Sequence, residues 1–448
     1  MPATAEPTPI LPGLSPIGGK TIEAHFDAAL MSSDGGLLAL REVERRLGIA
    51  RRLAACIRDP RAPERVVHGL DEIIRFRMLM IAAGYEDGID ADSLRADPMF
   101  KLAMDRLPEQ RDLCSQSTVS RAENLPDVRA LLRMGRAMVD HYCESFRQVP
   151  RRIVLDIDDT FDAMHGGQQL RLFNAYYDEY GFQPIVVFDD DGRMIAAVLR
   201  PAARPDGRQI VAWLRRLIAA IRANWPRVEI LLRADSHYCT PEVLRFCRAH
   251  RLDYVLGVAP TTTLRRHVAT LEASTTARAA RAGGEKLRRF KEFYDGAASW
   301  DRVERIIARV EAGPQGVDTR FVVTSLQGAR GRTVYQDIYC ARGQAENHIK
   351  AWKTHLAADR TSCCRATANQ MRLFLHLGAY WLMWNLRAAM PRRSTWRVAQ
   401  FDTLRLRLIK LAARVEVLKR KVRLHLPRTT PDQAIFAWAL SRLPRLIT

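Results

Sequence analysis

Between Arg151 and Val258 the apolar residues switch repeatedly between a two-residue and a helical period, and the order of those switches constrains the fold more than any other feature. RRIVLDIDDT is a β-branched run carrying acids, HGGQQ supplies a glycine turn, and QPIVVFDDDGRMIAAVLR reads as two strands joined by an Asp-Gly hairpin turn. An amphipathic helix follows from Gln209 to Trp225, then a strand from Val228 to Ala234, a helix from Pro241 to His250 and a strand from Asp253 to Val258. The fold class is therefore α/β, with three antiparallel strands leading a β-β-β-α-β-α-β order.

The flanking segments read differently. From about Gly35 to Tyr142 apolar residues recur at three- and four-residue spacing, as in LLALREVERRL and IIRFRMLMIAA, which predicts an all-helical first domain. Within it CSQSTVSRAEN places Ser115 or Ser117 before a short basic helix ending in Arg121. This is the pattern of a serine-capped DNA-reading helix and equally of any capped surface helix. Residues 261–331 break the α/β order with a charged helical part and then alternating strands in DRVERIIARVE and DTRFVVTSL, and read as a β-rich insertion. Helix resumes at about Tyr335 and runs past Leu356, followed by an apolar helix around Leu373 to Leu386. The tail, LRLRLIKLAARVEVLKRKVRLHLPR, is strongly basic with apolar residues at helical spacing. The expected layout is a flexible leader (1–34), a helical DNA-binding domain (35–149), a core in two parts (150–260 and 332–390), the insertion (261–331) and a basic helical C-terminal region (391–448).

Lys and Arg total 70 against 50 Asp and Glu, a formal charge of +20, which is the footprint of a polyanion binder and points to nucleic acid. The Pro-rich N-terminus lacks the basic segment and apolar core of a secretory signal, and the stretch Leu373 to Leu386 is too short to span a bilayer. The eight cysteines are dispersed without C-x-x-C spacing, so neither a zinc site nor a disulfide framework is signalled and a reducing cytoplasm fits.

The acids carry the chemistry. In LDIDDT, alternation puts Asp156, Asp158 and Thr160 on one strand face. A carboxylate in a β-branched strand must be solvated, paired with a base or bound to a cation. Asp235 stands where the apolar strand VEILL ends, the usual place for a ligand site in an α/β sheet, and also a place for a helix-capping aspartate. Tyr339, Arg342, Glu346 and Lys353 are offset by three, four and seven residues, which at about 3.6 residues per turn puts them on one helical face. That face suits a site where Glu346 binds metal while Arg342 and Lys353 grip phosphates; a solvated salt-bridge face is the alternative.

These segments resemble the DDE transposases of bacterial insertion sequences that carry a Y-(2)-R-(3)-E-(6)-K signature on the helix with the catalytic glutamate. YCARGQAENHIKAWK fills all four positions; LDIDDTFDAMHGGQQ resembles the family's first acid segment and RADSHY its second. The nearest group is the insertion-sequence group numbered thirteen-eighty, over roughly Ser115 to Arg387. The resemblance implies an RNase H-like core and a catalytic, metal-binding triad of Asp158, Asp235 and Glu346. Asp158 is preferred because it precedes Thr160 as the family's first acid precedes its threonine, with Asp156 in reserve. It further implies cut-and-paste movement, with Tyr339, Arg342 and Lys353 holding the phosphates at a cleaved transposon end, and an insertion domain that helps hold the ends. There an aromatic, Trp300 or Phe321, could stack on a flipped base or simply fill the core.

Carboxylates are hard oxygen donors, and two or three of them suit two Mg²⁺ or Mn²⁺ ions. The partners implied are double-stranded DNA, as transposon ends and target, and a second copy of the chain in the DNA complex, since two ends must be paired. A tyrosine recombinase is excluded because Tyr339 has no matching Arg-His-Arg set and the acids would go unexplained. The competing reading is a domesticated transposase kept only as a DNA-binding factor.

Overall fold

A computed structural model describes residues 13–164, 166–283 and 285–443. Residues 1–12 of the expected leader, His165 of the glycine turn and residues 444–448 lie outside that range. The segment after Arg151 forms β2 (Arg152–Asp159), which follows β1 (Met31–Ser32), and then β3 (Asp162–Ala163), β4 (Leu172–Asn174), β5 (Glu179–Phe182), β6 (Ile185–Phe188) and β7 (Met194–Val198). Strands β8 (Glu229–Ala234) and β9 (Asp253–Val258) complete the α/β part, and β10 (Leu287–Asp295), β11 (Glu304–Gly313) and β12 (Gly316–Thr324) come from the expected insertion.

Among the described residues one sheet of eight strands runs β10-β11-β12-β9-β8-β2-β6-β7. β2 pairs antiparallel with β6 and parallel with β8, and β8 pairs parallel with β9. The β6–β7 hairpin is closed by the expected Asp-Gly turn, where Gly192 takes φ +77 and Gly192 N donates to Asp189 O at 3.0 Å. A second sheet of three short strands, β3-β5-β4, fills the connection after β2, where no periodicity announces it.

Two helices return the chain between the parallel strands. In chain order the helices are α1 (Leu37–Leu47), α2 (Ile49–Ala54), α3 (Leu70–Ala83), α4 (Ala91–Leu94), α5 (Pro98–Ala103), α6 (Gln116–Glu123), α7 (Val128–Glu144), α8 (Gly207–Asn224) and α9 (Pro241–Ala249). α8 opens with a reciprocal capping box between Asp206 and Gln209 and buries Ile210, Leu214, Leu217 and Ile221 along one stripe. α9 opens on Thr240 with Pro241 in its first turn. The spacings expected for both are the ones formed.

The segment 261–331 begins with α10 (Thr262–Arg281), and its three strands add to the edge of the main sheet: Phe321 to Thr324 of β12 register against Val258 to Val255 of β9. It is thus an extension of the central sheet. After it come α11 (Gly331–Thr333), α12 (Gly343–Lys350), α13 (Ala366–Ala388), α14 (Phe401–Leu404) and α15 (Gln433–Arg442), with a π-helical turn over Val334–Tyr339, a 3-10 turn over Cys340–Arg342 and another π turn over Ala351–His355.

The C-terminal region corrects the sequence reading. Ala413 to His425, expected as helix, forms the hairpin β13 (Ala413–Leu418) and β14 (Lys421–His425), to which β1 adds a third strand. Ala413 and Val415 are buried while Arg414 is exposed, a two-residue period that the surrounding basic residues obscure, and β-branched Val415, Val417 and Val422 favour the strand. The end of the leader is also built in, since Asp34 is buried and pairs with Lys410 Nζ at 2.8 Å.

The apolar helix expected around Leu373 to Leu386 is α13, with sixteen of its 23 residues buried; no helix of the described residues is long and apolar enough to cross a membrane. α13 joins the N-terminal helices and the sheet into one core. A side chain at Gly378 would stand 2.8 Å from Met78 Sδ, so glycine there permits the close contact of α13 with α3. The eight cysteines are free thiols.

This core also buries imidazoles. His376 lies on α13, and His141 of α7 packs edge-on to Trp381 at 4.6 Å. Burial holds both far below the ordinary 6.5, at about 3. The folded state therefore binds fewer protons than the unfolded chain between pH 6.5 and 3, and stability falls as pH drops through that window. Each histidine contributes about 1.4 kcal/mol per pH unit there. Urea unfolding at pH 7 and pH 5 should show His376→Gln losing stability on acidification less steeply than wild type, by about one proton. Equal slopes would exclude a neutral His376 in the core.

Candidate active site

β2 and β8 run parallel, so their C-terminal ends deliver the two sequence-predicted aspartates to the same side of the molecule. Asp156 and Arg233 are register partners. Their side chains form a two-pronged ion pair, Nε–Oδ1 2.7 Å and Nη2–Oδ2 2.7 Å, with Asp156 2% and Arg233 4% exposed. Arg233 Nη1 also donates to Ile338 O at 2.7 Å. The reserve acid is thus consumed in tying β2, β8 and the 331–355 helical segment together.

Two residues on, Asp158 meets Arg342 at 2.8 Å. Burial, opposed by Arg342 and reinforced by Asp235 and Asp159, lifts its carboxyl to about 6. Of the two roles considered for Asp235, the cap is the one formed: its carboxylate accepts from His237 N at 3.1 Å at the start of the following 3-10 turn, and it also pairs with His237 Nδ1 at 2.7 Å. Burial would raise Asp235, but His237 and Arg342 hold it below the usual carboxylate range.

His237 joins this cluster without having been singled out from the sequence, and Asp159 joins it although Asp158 is the acid preferred there. His237 Nε2 lies 2.7 Å from Asp159 Oδ2, so the imidazole bridges Asp159 and Asp235. Burial works against its charge, yet the two carboxylates outweigh it and raise His237 to about 9, leaving the ring protonated at neutral pH. Asp159 also accepts from Gln183 Nε2 at 3.0 Å. The available signal is a histidine two residues after a strand-end acid and a doubled aspartate at the end of LDIDD.

The Y-R-E-K residues divide. The hydroxyl of Tyr339 lies beside the backbone after Asp235: a Cβ at Gly257 would be 2.8 Å from Tyr339 Oη and 3.0 Å from Ser236 N. Burial raises the Tyr339 phenol, with Arg342 opposing. Lys353, expected on phosphates, instead donates to Phe161 O and stands 3.5 Å from Asp162 Oδ1. Asp162 is fully buried, which pushes its carboxyl up to about 8 against the nearby ammonium. Glu346, one turn beyond Arg342, is exposed and has no hydrogen-bond or ion-pair partner among the described residues.

The remaining candidates lie apart from this cluster. Ser117 and Arg121 are exposed on α6, with Arg121 Nη2 donating to Thr118 Oγ1 at 3.1 Å; Ser115 is the cap residue, but its side chain makes no capping bond. Phe321 is buried in the sheet core and presents no face for stacking, whereas Trp300 is half-buried against the same core.

The donors suit a divalent cation in kind. Asp158 and Asp235 are hard oxygen ligands whose mutual repulsion, with that of Asp159, is answered by protein cations. Among the described residues no three His, Cys, Asp or Glu side chains are placed to hold one ion together.

Asp156 and Asp158 differ in what their loss should do to the fold. Asp156→Asn leaves Arg233 buried without its counter-charge and should destabilise the protein by about 3 kcal/mol in denaturant unfolding. Asp158→Asn removes a carboxylate that burial already disfavours and should change stability by less than about 1 kcal/mol. Equal losses would mean that both acids serve only the fold.

No curated protein matches the chain. Among solved structures, the cryo-EM structure of the piggyBac transposase synaptic complex with hairpin DNA aligns with a TM-score of 0.37 and 11% identity, over 82% of this chain and 84% of that one, a likeness too distant to argue from. The family described as transposase DDE domain group 1 matches residues 14–448. DDE transposases generally use divalent metal ions. With that match covering nearly its whole length, the chain belongs to the DDE domain group 1 transposases and is a DDE transposase.

Proposed function

We propose that this transposase moves an insertion sequence by cut-and-paste, cleaving and rejoining DNA strands at transposon ends on an RNase H-like core, with Asp158, Asp235 and Glu346 as its catalytic acids. The observation that carries this reading is the placing of Asp158 and Asp235 at the ends of adjacent parallel strands, with Arg342, from the helical segment that bears Glu346, paired to Asp158 and close enough to Asp235 to act on it electrostatically. Asp158 and Asp235 would hold Mg²⁺ or Mn²⁺ with Glu346 joining them. When bound, two such ions supply an activated water or 3′-hydroxyl and stabilise the leaving 3′-oxygen.

The chain's own residues do the rest. Arg342 is the phosphate ligand: its guanidinium is the nearest cation to Asp158, and the two-pronged geometry of arginine matches a phosphodiester. Tyr339 packs against the backbone after Asp235 and fixes the approach of the helix. His237 offsets part of the charge of Asp159 and Asp235 and limits what a bound phosphate meets. Lys353 holds the exit of β2 through Phe161 and Asp162. The N-terminal helices, with Ser117 and Arg121 exposed on α6, would read the transposon end, and a second copy would bring the other end.

Asp158→Asn, Asp235→Asn and Glu346→Gln should each lower Mg²⁺-dependent cleavage of end-bearing DNA by about a thousandfold, with binding in a gel shift retained. EDTA should abolish cleavage of the wild type. Cleavage surviving EDTA would sink the proposal, and DNA binding with no cleavage under any condition would establish the binding-factor alternative.

Arg342 and Lys353 should separate in a salt titration. Arg342→Ala should reduce the slope of log affinity against log salt by about one, as one lost phosphate contact does. Lys353→Ala should leave the slope unchanged and lower stability instead, since its ammonium serves Phe161 and Asp162. A slope change for Lys353→Ala would return that residue to the DNA.

A further inference from the structure

Near the carboxylates, the connection after β2 exposes a group of aromatic rings. Phe173, Tyr177 and Tyr180 are about half exposed and Tyr176 is 87% exposed. Such a group of large apolar side chains on the surface marks an interaction site. The rings are ordered: Tyr177 lies flat on Phe161, centroids 4.3 Å apart and planes at 10°, and Tyr176 stands edge-on to Tyr177 at 4.9 Å. Phe173 packs edge-on to Tyr180 at 5.4 Å, and the Arg171 guanidinium sits 4.8 Å over the Tyr180 ring.

This platform opens toward the catalytic acids. Phe173, Tyr176 and Tyr177 line one cleft with Arg204 and His237, and His237 is the residue that bridges Asp159 and Asp235. Phe161, beneath Tyr177, follows Asp158 by three residues, and its carbonyl accepts from Lys353. A ligand in this cleft meets aromatic rings, arginine charge and His237, the residue that bridges Asp159 and Asp235. Rings with arginines suit a polyanion that carries flat π-faces. A base paired within a duplex has its faces covered by its neighbours, so the matching form is an unpaired nucleotide.

We propose that Tyr176, Tyr177 and Phe173 form a stacking platform for an unpaired nucleotide of the strand whose phosphate lies at Asp158 and Asp235. The proposal rests on the DNA-cleaving reading above and adds a site to it. It assigns to the β3-β5-β4 sheet the base-stacking role considered above for Trp300 or Phe321, of which Phe321 is buried.

The test uses the full chain and a duplex bearing a short single-stranded overhang with one 2-aminopurine, beside a blunt duplex of equal phosphate count. Stacking should quench the 2-aminopurine fluorescence, and the overhang duplex should bind about tenfold tighter than the blunt one. Tyr176→Ala should abolish the quench and weaken overhang binding by about five- to tenfold, while Tyr176→Phe, which keeps the ring, should behave as wild type. The salt slope of Tyr176→Ala should equal that of wild type, because no phosphate contact is lost. Tyr176 is nearly free of the fold, so its truncation leaves the core intact. Equal affinity for the two duplexes, an unaltered quench in Tyr176→Ala, or a change confined to oligomeric mass in light scattering would each overturn the platform. Mg²⁺-dependent cleavage measured on the same samples keeps the two ideas apart. Cleavage without a quench overturns the platform alone, and a Tyr176-dependent quench without cleavage supports the platform while overturning the catalytic reading.

Discussion

The buried ion pair between Asp156 and Arg233 is the constraint on which the geometry of the candidate site depends. An isolated charge at either position would be prohibitive in the sheet interior, so each residue requires the other. Their pairing fixes the register of β2 against β8, since the two are opposite one another across the ladder. It also fixes a third element, because the free prong of Arg233 donates to Ile338 O. Arg342 follows Ile338 by four residues, about one helical turn, and so arrives over Asp158. One guanidinium therefore sets the distance between two strand-end acids and the helix that answers them.

The charge balance of the site runs against that of the chain. A protein with a formal charge of +20 gathers Asp158, Asp159 and Asp235 at one point, where burial already raises Asp158 to about 6. Two protein cations, Arg342 and His237, meet this excess in the structure. Such an arrangement holds carboxylates close without letting them repel the sheet ends apart, and it leaves the positive surface elsewhere to attract a polyanion. Glu346 stays outside the balance, exposed and unpartnered among the described residues.

The α/β order is legible because each element is strongly periodic: α8 and α9 keep the stripes and caps visible in the sequence, and β9 forms over the range read from it. The acids at the ends of β2 and β8 are legible for the same reason. Features set by partners distant in sequence escape such a reading. Alternation places Asp156 and Asp158 on one face and cannot tell them apart; only the position of Arg233 across the ladder does. Ala413 to His425 reads as helix because Arg and Lys break an alternation that the pairing with β1 reveals. The short β3-β5-β4 sheet has strands of two to four residues, too brief for any period to show.

The helical segment bearing Glu346 shows how residue spacing can misplace side chains. Placing Tyr339, Arg342, Glu346 and Lys353 on one face assumes uniform α-helical winding. Only Gly343–Lys350 winds that way; a π turn precedes it over Val334–Tyr339, a 3-10 turn over Cys340–Arg342 intervenes, and a second π turn over Ala351–His355 carries Lys353. Each change of winding rotates the residues beyond it, and π turns persist mainly where function offsets their poorer geometry. Arg342 and Glu346 remain one regular turn apart, whereas Lys353, within the second π turn, reaches Phe161 and Asp162. The two basic residues of the signature thus reach opposite ends of the segment Asp158 to Asp162. One secures the strand's exit, and the other pairs with its acid.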